Sequence, residues 1–159
     1  GFAGQKILYR QQVQKPLEKR FAAIEGVESV QLKGSTARQE LVVTMGKVTE
    51  LEKTYQQVMD EARNILGEEF DSIQLVDRRS PRLNEALHAS HFAIEEGIAT
   101  GYFTEMADEV AMVMESIGID DYRLAVDETN VYLQMVDGEN YLFSVFPRHQ
   151  TMSAASSLS

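Results

Sequence analysis

The 159-residue chain contains no cysteine. That absence removes disulfides, thiolate zinc sites, iron–sulfur clusters and thiol nucleophiles, and says little about compartment. No apolar run approaches the roughly 20 residues that a membrane-spanning helix needs, and no signal-peptide pattern is present. There is no glycine-rich phosphate loop, no serine nucleophile elbow and no kinase-type signature. Basic residues are scarce in the second half. Residues 80–159 hold 3 Lys or Arg against 13 Asp or Glu, and so carry the whole net charge of -10. Nucleic-acid binding is driven by Lys and Arg neutralising phosphates, so this deficit argues against a nucleic-acid partner.

What is present is a charge division. Residues 1–79 balance 12 basic against 12 acidic side chains. Within them, residues 1–20 carry Lys6, Arg10, Lys15, Lys19 and Arg20 against Glu18 alone. Such a run suits an anionic lipid surface or the cytoplasmic flank of a membrane helix. A solvated helix face is the equal alternative. The chain opens Gly1-Phe2-Ala3-Gly4 without an initiator Met, which leads us to expect a processed or truncated chain with a segment removed upstream. The apolar content of 43% is ordinary for a globular protein and too high for a disordered one.

The periodicities predict an α+β protein of two small units. Leu8, Val13, Leu17, Phe21 and Ile24 follow a helical stripe. Pro16 predicts either two helical pieces meeting at Lys15–Pro16 or a helix starting there, and residues 7–9 could instead form a short strand. Val27, Val30 and Leu32, then Leu41, Val43 and Met45, read as a hairpin turning at Gly34, Ser35 and Thr36. Thr49 and Glu52 match a capping box ahead of a helical stripe from Leu51 to Leu66. Phe70, Ile73 and Leu75 make a further strand.

Ser80 as N-cap and Pro81 at the first helical position start the second unit. Leu83, Leu87, His91, Ile94 and Ile98 form its first helical stripe. Met106, Val110, Val113, Met114 and Ile117 form its second. Three alternating strands follow, joined by turns at 127–130 and at Asp137-Gly138, the latter a strong hairpin signal. The predicted organisation is therefore a basic leader helix over 1–20 and a (β)αββαβ ferredoxin-like unit over 16–79. An ααβββ unit with an antiparallel meander covers 80–149, and a flexible tail covers 150–159.

Three groups of residues could carry chemistry. His88, His91 and Glu95 lie at helical spacings of three and four, so two imidazoles and a carboxylate fall near one side and could bind zinc with an open position. The bland reading is a neutral core histidine at His91. Tyr132, Tyr141, Phe143 and Phe146 decorate the three-stranded sheet and would form a partner surface if helices cover only its other face. Asp120, Asp121, Asp127 and Glu128 bracket the first strand of that sheet, where turn chemistry explains them at least as well as calcium or acid–base work.

The stretch from Leu17 through the Ile24-Glu25-Gly26-Val27 junction to Val30, and onward to Leu75, resembles ferredoxin-like α/β plaits. It is similar to heavy-metal-associated domains, to the porter subdomains of efflux pumps, and to the ring-building modules of secretion and sporulation machinery. It lacks the Cys-x-x-Cys pair of the metal-binding family, so no metal role carries over. The resemblance implies a fold and a role in assembly or sensing; it does not extend to residues 80–149. Together these features lead us to expect a non-enzymatic interaction or assembly domain, the soluble part of a membrane-anchored or membrane-adjacent bacterial-type protein. It would need no cofactor. Its partner would be another protein or a second copy, with a membrane surface met through the leader. It would sit in the cytoplasm or at the cytoplasmic face of a membrane, with an extracytoplasmic site left open. The alternative is a small metal-dependent enzyme or regulator using His88, His91 and Glu95.

Overall fold

A computed structural model describes residues 2–34, 38–68 and 70–149, with side chains from residue 12 onward except that of residue 71. The expected turn at Ser35 and Thr36, the tail over 150–159, and the side chains of Lys6 and Arg10 lie outside the described residues. The chain is α+β and divides into two compact units meeting between Asp77 and Arg78.

The first unit runs α1 (Phe2–Ala22), β1 (Val27–Gly34), β2 (Gln39–Met45), α2 (Leu51–Leu66), β3 (Phe70–Val76). Helix α1 continues unbroken through Pro16, and residues 7–9 are helical, so the alternative strand is replaced by helix. Proline costs the helix one backbone hydrogen bond. Burial of Leu17 and Phe21 just beyond it anchors the second half of α1. Gly26 turns the chain into β1 at φ +92, where a Cβ would collide with Val48.

The sheet order is β1-β2-β3, with β1 antiparallel and β3 parallel to β2. A full plait would place one more strand between the last two. Without it, β2 and β3 bond directly and the connection through α2 becomes a parallel crossover. Val30 faces Val43 and Leu32 faces Leu41 across the hairpin, while Ile73 and Leu75 continue the same rows on β3. Val27 and Val30 are three apart, which breaks the two-residue strand period. A bulge between Val27 and Ser29 absorbs the extra residue and keeps Val27 opposite Met45. Helix α2 begins with Glu50 rather than Thr49 at its N-cap, because the Glu50 carbonyl accepts from both Lys53 and Thr54.

Strand β1 lies at the sheet edge, where unpaired backbone groups invite aggregation. Gln14 on α1 occupies that edge. Its Oε1 accepts from Leu32 N–H at 3.1 Å, and its Nε2 donates to the Val30 carbonyl at 2.9 Å. One side-chain amide thus stands in for a neighbouring strand.

The second unit runs α3 (Pro81–Thr100), α4 (Phe103–Ile117), β4 (Asp121–Val126), β5 (Asn130–Asp137), β6 (Asn140–Pro147), with the strands forming an antiparallel meander. Ser80 caps α3 as the sequence predicts, its Oγ accepting from Leu83 N–H at 3.2 Å, with Pro81 in the first turn. The core joins Leu83, Ile94, Met106, Val110 and Met114 from the helices to Val131, Leu133, Met135, Leu142 and Phe146 from the sheet. Residues 78 and 141 form a further antiparallel bridge, tying the start of this unit to β6.

Replacing Gln14 with Leu removes both edge bonds while keeping the bulk. We expect a loss of about 1–3 kcal/mol in urea unfolding and a rise in concentration-dependent light scattering. An unchanged midpoint with unchanged scattering would show that Gln14 does not guard the edge.

Candidate functional site

The α3–α4 hairpin carries the candidate residues, and small side chains set its geometry. Ala86, Ser90, Ala93 and Gly97 recur at helical spacing and are buried together with Leu83 and Ile94. A Cβ at Gly97 would lie 2.6 Å from Met106 Sδ and 2.8 Å from Met106 Cβ, so the helices meet where α3 has no side chain. At the other end, Arg82 bridges the helices. Its Nη2 donates to the carbonyls of Ile117 at 2.7 Å and Gly118 at 2.8 Å, and its Nε donates to Ile117 at 3.2 Å. The guanidinium satisfies carbonyls that the end of α4 leaves open and places positive charge at the negative pole of that helix. It also pairs with Asp137 at 3.5 Å.

These contacts correct the expected stripe of α3. His91 was expected among the core positions, yet it is exposed, and the buried arc is rotated toward Ala86, Ser90 and Ala93. The rotation follows from the close approach of α4, which rewards small residues on the facing side. His88, His91 and Glu95 are all exposed. Among the described residues, no group of three or more His, Cys, Asp or Glu could hold a metal ion. The His91 ring instead lies 5.7 Å from that of Phe92 and 5.9 Å from that of Phe146. With His88, it lines a shallow depression shared with Pro81, Asn84, Glu85 and Leu87.

The four sheet aromatics do not form an exposed surface. Tyr132, Tyr141, Phe143 and Phe146 are all buried. Phe146 belongs to the face under the helices, whereas the other three point the opposite way. Tyr132 is held by its hydroxyl, which donates to Asp127 Oδ2 at 2.5 Å and accepts from Asn130 Nδ2 at 3.1 Å. Tyr141 and Phe143 pack ring to ring at 5.4 Å.

Asp127 is occupied by its turn. Its Oδ1 accepts from the backbone of Thr129 at 2.9 Å and of Asn130 at 2.7 Å, and its carbonyl accepts from Arg148. The Arg148 guanidinium also sits 4.9 Å above the Phe103 ring. Of the basic leader, Lys15 and Lys19 are exposed one turn apart on α1, and Arg20 pairs with Glu61 at 3.5 Å. In the same unit, burial pushes the Tyr55 phenol above its ordinary value, opposed by the nearby Arg63 charge.

Sequence reasoning missed Arg82, Gln14 and the exposure of two apolar residues, Phe92 at 78% and Met112 at 68%. The signal for Phe92 was available: it lies two residues from both Ser90 and Ile94, on the far side of the helix from the buried arc.

No protein-family model matches the chain, and no curated protein matches it. Among solved structures, two substituted forms of a protein named MamM CTD are similar to it over 43% of this chain. They cover 94% and 93% of their own lengths, at 12% and 11% identity and TM-scores of 0.29 and 0.30. A likeness this distant carries no property over.

Two substitutions test the hairpin. Gly97→Val should cost about 1–3 kcal/mol in denaturant unfolding, with part of the loss recovered when Met106→Ala is added. Ser90 Oγ is buried without a hydrogen-bond partner. Ser90→Ala should therefore raise stability by about 1 kcal/mol, read as a higher unfolding midpoint.

Proposed function

We propose that the chain is a non-enzymatic interaction or assembly domain that works beside an anionic membrane surface. The supporting observation is how its polar groups are used. Arg82 is engaged at the end of α4, Asp127 in its turn, Tyr132 on Asp127, and His91 against two aromatic rings. Arg82, Asp127 and Tyr132 are thereby spent on holding the fold. Lys15 and Lys19 remain exposed on α1, one turn apart, in the segment that also carries Lys6 and Arg10. Among the described residues no helix is long and apolar enough to cross a membrane. The leader would act by charge at the surface, with the acidic second unit repelled from it. Each basic residue close to an anionic leaflet contributes about 1 kcal/mol, and the attraction is screened within about 10 Å at 0.1 M salt.

Co-sedimentation with phosphatidylserine-containing vesicles tests the membrane part. The protein should pellet at low salt, and Lys15→Glu with Lys19→Glu should weaken binding by at least ~30-fold, as the loss of ~2 kcal/mol implies. Equal binding to zwitterionic vesicles, or no effect of the two reversals, would sink it. The assembly part would fail if the protein neither self-associates in sedimentation velocity nor retains any partner.

A further inference from the structure

We propose that the outer face of the α3–α4 hairpin is a docking site for a cationic amphipathic helix of a partner protein, seated on Phe92 and Met112. This goes beyond the reading above, because it concerns the acidic unit and not the basic leader.

The placement follows from the hairpin register. Gly97 faces Met106 and Arg82 reaches Ile117 and Gly118, so the antiparallel helices set Phe92 and Met112 level within about one turn. Both lie opposite the buried positions of their helices: Phe92 against Ser90 and Ile94, Met112 against Val110 and Met114. Two large apolar side chains at 78% and 68% exposure, on well-formed helices whose other faces are buried, are the pattern of a docking anchor rather than of core. Aromatic and Met side chains are favoured at such places because they offer large, adaptable contact area.

Charge selects the occupant. The neighbours of Phe92 at the next helical turn are Glu95 and Glu96; those of Met112 are Asp108, Glu109 and Glu115, all exposed. Residues 81–118 contain a single Lys or Arg, Arg82, and its guanidinium is committed to the end of α4 and to Asp137. A second copy of this hairpin would bring one acidic face against another. Anionic lipid would be repelled in the same way. A helix presenting an apolar stripe flanked by Lys and Arg would place its stripe on Phe92 and Met112 and its charges on the surrounding carboxylates, the helix-on-surface mode of peptide recognition.

The test uses the full chain and an 18-residue Leu/Lys peptide with a continuous apolar stripe, titrated calorimetrically at two salt concentrations. A peptide of the same composition, shuffled so that the stripe is lost, is the control. We expect saturable 1:1 binding of the striped peptide, at least tenfold tighter than the shuffled one. Phe92→Ala with Met112→Ala should weaken it at least tenfold, while far-UV circular dichroism stays unchanged because both side chains are exposed. Glu96→Lys with Asp108→Lys should weaken it and flatten its salt dependence. Equal affinity for both peptides, or no effect of the apolar pair, would overturn the proposal by showing bulk charge attraction alone. Self-association or vesicle binding that disappears in Phe92→Ala would overturn the choice of occupant. Loss of vesicle binding with peptide binding retained would sink the membrane reading alone, and the converse would sink this inference alone.

Discussion

A three-stranded sheet is too small to stand alone in water, and one of its faces must be covered by helices. That requirement shapes both units of this chain. In the first, α1 docks through Leu17 and Phe21 and α2 through Leu51, Val58, Ala62 and Leu66, whose burial accompanies that of Val30, Leu32, Leu41 and Val43 on the strands. In the second, α3 and α4 fit over one small sheet because Ala86, Ser90, Ala93 and Gly97 let them approach closely. The sheet rows of Leu133, Met135 and Leu142 are closed in consequence. Much of the remaining polar chemistry attends to what this arrangement leaves open: an exposed strand edge in one unit, and the carbonyl end of α4 in the other.

Those openings are met by single side chains. Gln14 supplies one donor and one acceptor to β1 at the spacing that a neighbouring strand would use. Arg82 donates three hydrogen bonds to the end of α4. Asp127 gathers the N–H groups of Thr129 and Asn130 with the hydroxyl of Tyr132, so the β4–β5 turn is locked to the strand that follows it. Each device is polar and built from residues that would look like surface decoration in the linear chain.

Much of the fold was legible from periodicity. Val30 and Leu32, and Leu41 with Val43 and Met45, face inward as alternation predicts, and Ser80 with Pro81 opens α3. Three features were not legible. The bulge at Val27 depends on what lies across the hairpin, because an odd spacing is tolerated only where the partner strand can take the slack. The stripe on α3 caught Leu83 and Ile94 but took in His91 by spacing alone and left out Ala86, Ser90, Ala93 and Gly97, because hydropathy singles out large apolar residues whereas close helix packing favours small ones. The sheet aromatics read as a surface because alternation tells which residues share a face but not whether that face is covered.

The chain's sequence by itself determined the partition of charge, the order of its elements after α1 and the start of α3 at Ser80 and Pro81, since these depend on local propensity and on counting. Tertiary structure alone decided which polar groups are consumed and which apolar ones are left out. Arg82 and Asp127 are equally charged on paper with Lys15 and Glu96, but only the first two sit beside a helix end or within a turn that uses them. Phe92 and Met112 are as apolar as their buried neighbours, and only the packing of α3 against α4 turned them outward. Burial belongs to the surroundings of a side chain, and those are assembled from residues distant in sequence.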